Sequence, residues 1–359
     1  MVIVFGAGGF IGTYLIDQLI AERTEVIASD VSELAAAYYD DRGVAYATVD
    51  ITQKDQFDNL PRENIDAVVH LACIQPANVS EREYSPIEYA MVNIIGTLNI
   101  LEFCRQNNVP KIIYTCSHRN TQGLWANKAG EPIAESDGRS ILFTGDYAMF
   151  SISESAASDC VEHYTQRYGI EGIVLRLPPV YGFGPHLEIF KDGRPIKTGF
   201  LALMEEAERG RPLVLWGDPS IARDIVYVMD VVAAISLALR RSGIMGLFNI
   251  SSGKRLSLQD QAECAIRVFS PPGARSEIRY QPETPHYLEP YVYDITKARD
   301  VLGWQPKYTF EDMLRDYREE RDSGRFSFLI EKRKAIMARA MVDSSNARTT
   351  AAADPVGEQ

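Results

Sequence analysis

The stretch Val2-Ile3-Val4-Phe5-Gly6-Ala7-Gly8-Gly9-Phe10-Ile11-Gly12 decides the fold, because a short apolar run enters a loop with glycines at positions 6, 9 and 12. Residues 2–5 are predicted to form a buried strand, and apolar residues recur at helical spacing from Phe10 to about Glu22. Gly6 would permit a tight turn, Gly9 would let the backbone approach a diphosphate, and Gly12 would allow close helix–strand packing. The free N–H groups of the helix N-terminus favour an anion. The pattern therefore predicts a dinucleotide-binding loop that includes Phe10 and Ile11.

An acidic residue follows at the end of the second predicted strand, residues 25–29, which leads into Asp30. A carboxylate there can accept hydrogen bonds from both ribose hydroxyls of an adenosine and would repel a 2′-phosphate, so Asp30 favours NAD over NADP. Asp50 and Ile51 follow a third strand near residues 44–49 and suit a contact with adenine. The alternatives are a purely structural cap for Asp30 and a solvated turn for Asp50 and Ile51.

Strands and helices alternate over the first half of the chain, with strands predicted near 67–71, 111–114 and 173–176 and helices near 86–105 and 146–168. This alternation predicts an α/β fold, a Rossmann-type doubly wound parallel sheet covered on both faces. Beyond Tyr181 the loops are richer in Gly and Pro, which indicates a smaller C-terminal α/β lobe. The expected divisions are an NAD-binding domain at 1–180 to which 224–250 returns, a substrate-binding lobe at 181–325, a C-terminal helix at 326–343, and a disordered tail at 344–359.

The composition limits the partners. The 359 residues carry a formal net charge of -12, which argues against nucleic acid or an anionic membrane as the main partner. The five cysteines are scattered and lack metal-ligand spacing, so reduced thiols and no metal site are expected. No basic leader precedes the first strand, and no stretch reaches the roughly 18 apolar residues of a membrane span, so a cytoplasmic location is expected.

Further motifs follow the glycine loop in a fixed order: His70-Leu71-Ala72, Asn93-Ile94-Ile95-Gly96-Thr97, Arg176 to Gly182, Leu215-Trp216-Gly217-Asp218, Arg223 to Val228, Asn249 to Gly253, and Asp294 to Ala298. Over about residues 1–320 the chain thereby resembles an extended short-chain dehydrogenase/reductase of the NAD-dependent epimerase/dehydratase family, whose best-known members act on nucleotide sugars. The resemblance implies NAD as cofactor and a small-molecule substrate. It also implies cofactor contacts at Leu71, Ala72 and Pro178, and a homodimer formed through the helices near 86–105 and 146–168.

In that family a Ser or Thr after the fifth strand and a Tyr-x-x-x-Lys helix form the reaction centre. Ser117 matches the serine, but counting back from Tyr168-Gly169 puts Phe150 and Glu154 at the tyrosine and lysine positions. A phenyl ring is not a base at any pH, and a carboxylate raises the pKa of a neighbouring hydroxyl. Glu154 could still bond the ribose hydroxyls beside the positive nicotinamide, so it is also predicted to contact the cofactor.

Several residues could take over proton transfer. Tyr147 lies three residues before Phe150, on the same face if that turn is helical, although Ser151 rather than lysine follows it by four. His118 and Cys116 flank Ser117. The alternatives are structural: Tyr147 as a packing residue, His118 as a loop residue and Cys116 as part of the core. The predicted catalytic set is Ser117, Tyr147 and Glu154.

The predicted substrate contacts are Ser117, His118, Trp216 and Arg223. Arg223 matches the family arginine that contacts the nucleotide diphosphate, and a salt-paired structural arginine is the alternative. The second diphosphate arginine of the family, expected before Asp294, has no clear counterpart.

Two functions are consistent with these residues. The first is an NAD-dependent nucleotide-sugar (or related polyol) epimerase or dehydratase with a non-standard acid/base set. The second is a catalytically silent relative that binds NAD and acts by regulation or partner binding. A third, less developed hypothesis keeps NAD as a fixed cofactor and uses Glu154 as a base in hydrolysis or elimination.

Overall fold

Strands and helices alternate regularly as far as residue 177, and a looser arrangement follows. The computed structural model describes residues 1–76, 84–128, 130–185, 189–191, 194–284, 289–332 and 334. In chain order the strands are β1 Val2–Phe5, β2 Val26–Asp30, β3 Ala45–Thr48, β4 Ala67–His70, β5 Lys111–Ser117, β6 Glu171–Leu177, β7 Val180–Tyr181, β8 Ile189–Lys191, β9 Arg194–Ile196, β10 Leu213–Trp216, β11 Ala222–Arg223, β12 Val226–Tyr227, β13 Gly246–Asn249, β14 Leu256–Ser257 and β15 Ile278–Gln281.

The helices cover the sheet and build the second lobe. They are α1 Phe10–Ala21, α2 Ala36–Asp40, α3 Pro86–Tyr89, α4 Thr97–Gln106, α5 Gln122–Trp125, α6 Ala148–Tyr168, α7 Gly199–Glu208, α8 Val228–Arg240, α9 Leu258–Phe269 and α10 Phe310–Ser323. A π-helical segment, Ala90–Gly96, joins α3 to α4, and a second one spans Ala298–Leu302. Short 3-10 turns lie at Glu33–Ala35, Lys54–Asn59, His118–Thr121 and Glu135–Asp137.

Seven strands form one parallel sheet in the order β13-β6-β5-β4-β1-β2-β3. The predicted α/β, doubly wound Rossmann-type sheet is therefore confirmed. The segment 224–250 contributes β13, which pairs with β6 at one edge. The chain order reverses at β1, and in such sheets ligands bind in the crevice at the carboxyl ends of the strands beside that point.

Both faces of the sheet are buried, as the apolar β1 requires. Val2 and Val4 belong to one core, with α1 and α8, whereas Ile3 and Phe5 belong to a second core, with α4 and α6. Alternate residues of each strand point to opposite faces, so a run without polar residues fits a sheet covered on both sides. This rigid layer fixes the strand ends from which the loops of the site emerge.

The helix Pro86–Gln106 corrects one expectation from the sequence. By length and composition alone it is apolar enough to cross a bilayer, and half of its most apolar window is buried inside the fold. Buried core helices meet the same criterion. The expectation that no stretch is long and apolar enough to span a membrane is therefore wrong by length and composition. The helix carries apolar residues both on the side that faces the sheet and on the side that faces outward, and together they raise its mean hydropathy.

The smaller lobe is built mainly from α7, α9 and the parallel pair β10–β15. Its buried residues, such as Leu203 of α7 and Ile266 of α9, continue one of the two cores of the sheet domain. The lobe therefore packs directly on the sheet domain and forms the second wall of the cleft between them.

The segment after α10 returns to the first helix of the chain. Arg325 forms an ion pair with Asp17 at 2.6 Å, and its guanidinium lies 4.1 Å from the centre of the Tyr14 ring. The fully buried Phe326 packs against the same ring. Residues 327–332 are helical, in the region of the predicted C-terminal helix. The remainder of that helix and the predicted tail at 344–359 lie outside the described residues.

Candidate active site

The glycine loop between β1 and α1 has the geometry of an anion cradle. Gly6 has φ +82°, and a Cβ there would lie 2.7 Å from the Ala72 nitrogen; a Cβ at Gly12 would lie 2.3 Å from the Gly6 oxygen. A Cβ at Gly9 would meet only the Gly6 oxygen, at 3.2 Å, a tight contact but much less severe than those at Gly6 and Gly12. No side chain caps α1, and its first turn contains no acidic residue. The N–H groups at this helix end therefore remain available for a diphosphate.

Asp30 is held beside this loop. Its Oδ2 accepts a hydrogen bond from the Gly8 N–H at 3.0 Å, and its Oδ1 accepts one from the Ser32 N–H at 3.4 Å. Asp50 caps its own turn, because its Oδ1 accepts hydrogen bonds from the backbone N–H and the hydroxyl of Thr52 at 2.9 and 2.8 Å. Both carboxylates still face the cleft, so a structural role and a ligand contact are compatible here.

One cleft of about 1840 Å³ runs from the glycine loop to the smaller lobe. It is lined by all the residues that the sequence predicts for the site: Gly6, Gly9, Phe10, Ile11, Gly12, Asp30, Asp50, Ile51, Leu71, Ala72, Ser117, His118, Tyr147, Glu154, Pro178, Trp216 and Arg223. Among the residues described, no three His, Cys, Asp or Glu side chains are grouped to hold a metal ion. The cleft thus brings the predicted cofactor, catalytic and substrate residues together.

Ser117 is the last residue of β5 rather than a loop residue beyond it. Its Oγ accepts a hydrogen bond from the Arg119 N–H at 3.2 Å and lies 3.4 Å from Nδ1 of His118. The His118 ring is buried and stacks on Trp125, with 5.5 Å between ring centres. Burial, reinforced by Arg119 and Arg223, holds the pKa of His118 well below its usual range. His118 is therefore a neutral imidazole within an aromatic cluster.

Tyr147 caps α6 instead of lying within it. Its φ of −98° and ψ of 2° are not helical, but its ring still lies next to that of Phe150, with 6.4 Å between the ring centres. Tyr147 nevertheless lines the cleft, and its carbonyl accepts hydrogen bonds from the N–H and the hydroxyl of Ser151 at 2.9 and 2.8 Å. The Arg119 guanidinium lies 4.0 Å from the centre of its ring. Tyr147 is therefore fixed beside a cation.

Sequence reasoning missed Arg119. The available signal was its place two residues after Ser117, at the carboxyl edge of the sheet where ligands of such folds bind. Its side chain lines the cleft and donates a hydrogen bond to Oε1 of Gln122 at 3.1 Å. Within the described ranges Arg119 forms no salt bridge, so its charge is available to a ligand.

Glu154 differs from what the sequence suggested. Only 2% of the residue is exposed, and Phe150, one turn earlier, is 4% exposed. Burial raises the pKa of Glu154 to about 8, and the Tyr114 hydroxyl and the Ser117 backbone N–H offset part of this effect. At neutral pH Glu154 is therefore mainly a protonated acid instead of the carboxylate inferred from the sequence. Its Oε1 has no hydrogen-bond partner among the described residues.

Arg223 and Trp216 extend the cleft into the smaller lobe. Arg223, in β11, donates a hydrogen bond to the Tyr181 hydroxyl at 3.1 Å, while its buried Nε has no partner among the described residues. It forms no salt bridge in that part of the chain, which disfavours the purely structural alternative. Trp216 ends β10 and is 51% exposed. This end of the cleft therefore combines a cation with an accessible indole ring.

These features define a dinucleotide-binding α/β enzyme, and comparison with known proteins gives the family. The model of the NAD dependent epimerase/dehydratase family matches residues 2–251, and the chain belongs to this family. The predictions of NAD as cofactor and of an enzyme are thereby confirmed at the level of the family.

The relatives are sugar-nucleotide enzymes. UDP-glucuronic acid decarboxylase 5 of Arabidopsis thaliana is 27% identical over 314 residues, which are 87% of this chain and 86% of that protein. UDP-glucose 4-epimerase of Halalkalibacterium halodurans is 28% identical over 321 residues, with 86% and 91% covered. The crystal structure of UDP-glucose 4-epimerase from Thermotoga maritima with UDP-glucose superposes with a TM-score of 0.73 at 26% identity, covering 90% of this chain and 98% of that one.

Proposed function

We propose that this chain is an NAD-dependent epimerase or dehydratase acting on a nucleotide sugar or a related polyol, with a non-standard acid/base set. The observation that carries the proposal is that Ser117, Tyr147 and Glu154 line the same cleft as the glycine loop and Asp30. The names of the relatives, which are UDP-sugar epimerases and decarboxylases, support the substrate class.

The non-standard part of the proposal is that Phe150 and Glu154 occupy the positions of the family tyrosine and lysine. Both line the cleft from α6, four residues apart. A phenyl ring cannot accept a proton, and an acid that is neutral at pH 7 cannot supply the positive charge of a lysine. Proton transfer therefore passes to other groups of the same cleft.

Tyr147 is the proposed proton acceptor and donor. NAD, when bound, would accept the hydride that leaves a sugar carbon. The hydroxyl proton of that carbon needs a separate acceptor, and the Tyr147 phenol lies beside two cations, since Arg119 covers its ring and Arg223 is close enough to interact with it. Such positive charge stabilises an oxygen that becomes negative during reaction. Ser117 would orient the reacting hydroxyl, because its Oγ already accepts a hydrogen bond from the Arg119 N–H and can donate its own proton.

The substrate would bind at the lobe end of the cleft. The half-buried Arg223 lines this end of the cleft and can bind a diphosphate, and charge-assisted hydrogen bonds of this type are strong. The exposed indole of Trp216 offers a surface on which a nucleobase can stack.

The test is turnover of a panel of nucleotide sugars, followed at the nicotinamide absorbance and by product mass. We expect Tyr147→Phe to lower kcat by roughly 10²- to 10⁴-fold, the usual contribution of a general acid–base group, while leaving NAD affinity unchanged. Ser117→Ala should behave similarly. Tyr168→Phe, an exposed tyrosine at the other end of α6, is the matched control and should retain activity. Full activity of Tyr147→Phe would exclude the proposed role of Tyr147.

The second candidate is a silent NAD-binding relative, and the same Phe150 and Glu154 favour it. In that case no sugar nucleotide of the panel is turned over, although NAD and substrate bind. The double variant Phe150→Tyr/Glu154→Lys then distinguishes a silenced enzyme from one with a different activity. It would turn over a nucleotide sugar only if the other catalytic and binding residues of the cleft are still functional.

We also infer that two copies of the chain associate through the helix Pro86–Gln106. Its exposed apolar residues Ile87, Met91 and Ile95 recur every four residues and so share one face. In the dimer this face would pack against the same helix of the second copy, and α6 would lie beside the interface. The helices α4 and α6 already pack together within one chain.

A further inference from the structure

The sheet order separates Glu154 from the adenosine end of the cleft. Asp30 ends β2 and Asp50 follows β3, and both strands lie on one side of β1, whose carboxyl end carries the glycine loop. Strands β4, β5 and β6 lie on the other side. A dinucleotide with its diphosphate on the loop and its adenosine at Asp30 therefore extends its second nucleoside over β4 to β6. Ser117 ends β5 there, and Glu154 lines the cleft from α6.

The groups around Glu154 are all neutral at pH 7. Tyr114 and Cys116 face it from β5, and Cys73 faces it from the segment after β4. Burial raises the pKa of each of these three groups, that of Cys116 to about 12. Beyond Tyr114, burial lowers the pKa of the His70 ring to about 3, so it is uncharged as well.

No cation compensates Glu154 within the part of the chain that the structure describes. Arg176 and Arg139 lower the pKa of Cys116, whereas the groups that lower the pKa of Glu154 are the Tyr114 hydroxyl and the Ser117 N–H. The carboxyl group is thus buried, faces the cleft and lacks a counter-charge. Such a group keeps its proton until a positive charge arrives, and opposite charges a few ångströms apart favour the ionised form.

The two redox forms of the cofactor differ in this charge, because the nicotinamide ring is positive in NAD⁺ and neutral in NADH. We propose that the chain binds NAD⁺ with release of one proton from Glu154 and NADH with release of none, so that its preference for the oxidised cofactor increases with pH. The O–H bond of the Glu154 carboxyl breaks, and the proton passes to solvent; no other bond changes. The inference rests on the cofactor site of the proposed function but not on turnover.

The expected pH dependence follows from the free carboxyl, whose pKa is about 8. Below that value NAD⁺ must displace a proton, so its affinity should increase with pH, at most tenfold per unit. Above about pH 8 the carboxyl is already ionised and the affinity should become constant. The affinity for NADH should not increase over the same range, because its neutral ring gains nothing from a carboxylate.

The experiment is calorimetric titration of the full chain with NAD⁺ and with NADH at pH 6, 7, 8 and 9. Repeating each titration at pH 7 in buffers of different ionisation enthalpy counts the protons released. We expect a value near one for NAD⁺ and near zero for NADH. Glu154→Gln keeps the shape of the side chain and removes the titrating proton, so NAD⁺ binding should release no proton and its affinity should be independent of pH.

A second variant keeps the inference testable if Glu154→Gln fails to fold. The Tyr114 hydroxyl lowers the pKa of Glu154, so Tyr114→Phe should move the pH at which NAD⁺ affinity becomes constant to a higher value.

Thermal unfolding is an independent test of the raised pKa of Glu154. The folded pKa of about 8 lies above the ordinary 4.5, so the stability that the wild type shows below pH 4.5 is lost progressively up to pH 8. The melting temperature of Glu154→Gln should therefore rise relative to wild type over this range.

The outcomes separate the inference from the proposed function. Sugar-nucleotide turnover with equal pH responses for NAD⁺ and NADH would overturn the inference and leave the function standing. Proton release on NAD⁺ binding without turnover would support the inference and favour the silent relative. If Glu154→Gln kept the pH dependence of the wild type, the released proton would come from another group and the inference would be overturned. Failure of the chain to bind either dinucleotide would overturn both the inference and the proposed function.

Discussion

Two carboxyl groups of the cleft show how the surroundings of a residue determine its chemistry. Asp30 accepts hydrogen bonds from two backbone N–H groups and is partly open to solvent. Glu154 is buried beside a phenol and two thiols, and its pKa is raised to about 8. The first is suited to hold ribose hydroxyls, and the second is suited to carry a proton at neutral pH. In the proposed function and the further inference, the same functional group thus serves recognition at one end of the cleft and proton storage at the other.

Asp30→Asn tests recognition at the adenosine end. The amide oxygen can still accept the hydrogen bond from the Gly8 N–H, so the loop should keep its shape. Loss of the charged hydrogen bonds to the ribose should cost about 1.5–3 kcal/mol of NAD binding, or roughly 10- to 150-fold in affinity. The affinity for NADP should rise, because the repulsion of its 2′-phosphate is removed. Titration with both dinucleotides measures the change, and an unaltered NAD/NADP ratio would contradict the assignment of Asp30.

At the scale of elements, glycine is required in the turn from β1 into α1 for two different reasons. Gly6 and Gly12 are required by the protein itself, since a Cβ at either would collide with backbone atoms. Packing constrains Gly9 less, because a Cβ there would meet only the Gly6 oxygen, at 3.2 Å, and its φ of −81° is one that any residue can adopt. We therefore expect the requirement at Gly9 to come mainly from the ligand.

The pair Gly12→Ala and Gly9→Ala should separate these demands. Gly12→Ala places a methyl group 2.3 Å from the Gly6 oxygen, and overpacking of this kind costs about 1–3 kcal/mol of stability. Gly9→Ala should change stability by about 1 kcal/mol or less, since it affects only the helix cap and one contact with the Gly6 oxygen at 3.2 Å. It should nevertheless weaken NAD binding at least tenfold, because the methyl group would occupy the diphosphate position. Melting curves and NAD titrations of both variants provide the measurement; equal losses of stability would refute the distinction.

At the scale of the whole molecule, the sheet domain and the smaller lobe share one core, and the cleft lies where they meet. The exposed apolar face of Pro86–Gln106 lies on the outer surface of the sheet domain. A homodimer formed there would bury the exposed apolar residues Ile87, Met91 and Ile95. It would also link the two clefts, because Met91 and Val92 of this helix line the cleft.

Light scattering tests this association. Wild-type protein should show the mass of two chains, and Ile87→Glu/Ile95→Glu should shift it toward one chain, because two carboxylates per copy would be desolvated at the interface. Val301→Glu introduces a charge at a different exposed apolar residue and should leave the mass unchanged. A single-chain mass for the wild type at micromolar concentration would reject the dimer.

Patterns local in sequence predicted much of this molecule. The glycine loop, Asp30 and the strand endings all follow from periodicity and spacing, which reflect neighbours a few residues apart. The protonation of Glu154 could not be predicted, because it depends on Tyr114 and Cys73, which other elements bring beside it. For the same reason the pairing of Arg119 with Tyr147 was not foreseen. Side-chain contacts between distant segments require the folded chain.

The contact of Arg325 and Phe326 with Tyr14 has a consequence for biosynthesis. The helix α1 receives part of its packing from residues more than 300 positions later in the chain. Until those residues are made, one side of α1 stays uncovered. Contacts of such long range slow folding, and transiently exposed apolar surface promotes aggregation. Chaperone assistance during translation should therefore matter more for the yield of this protein than for one whose first helix is completed by its immediate neighbours.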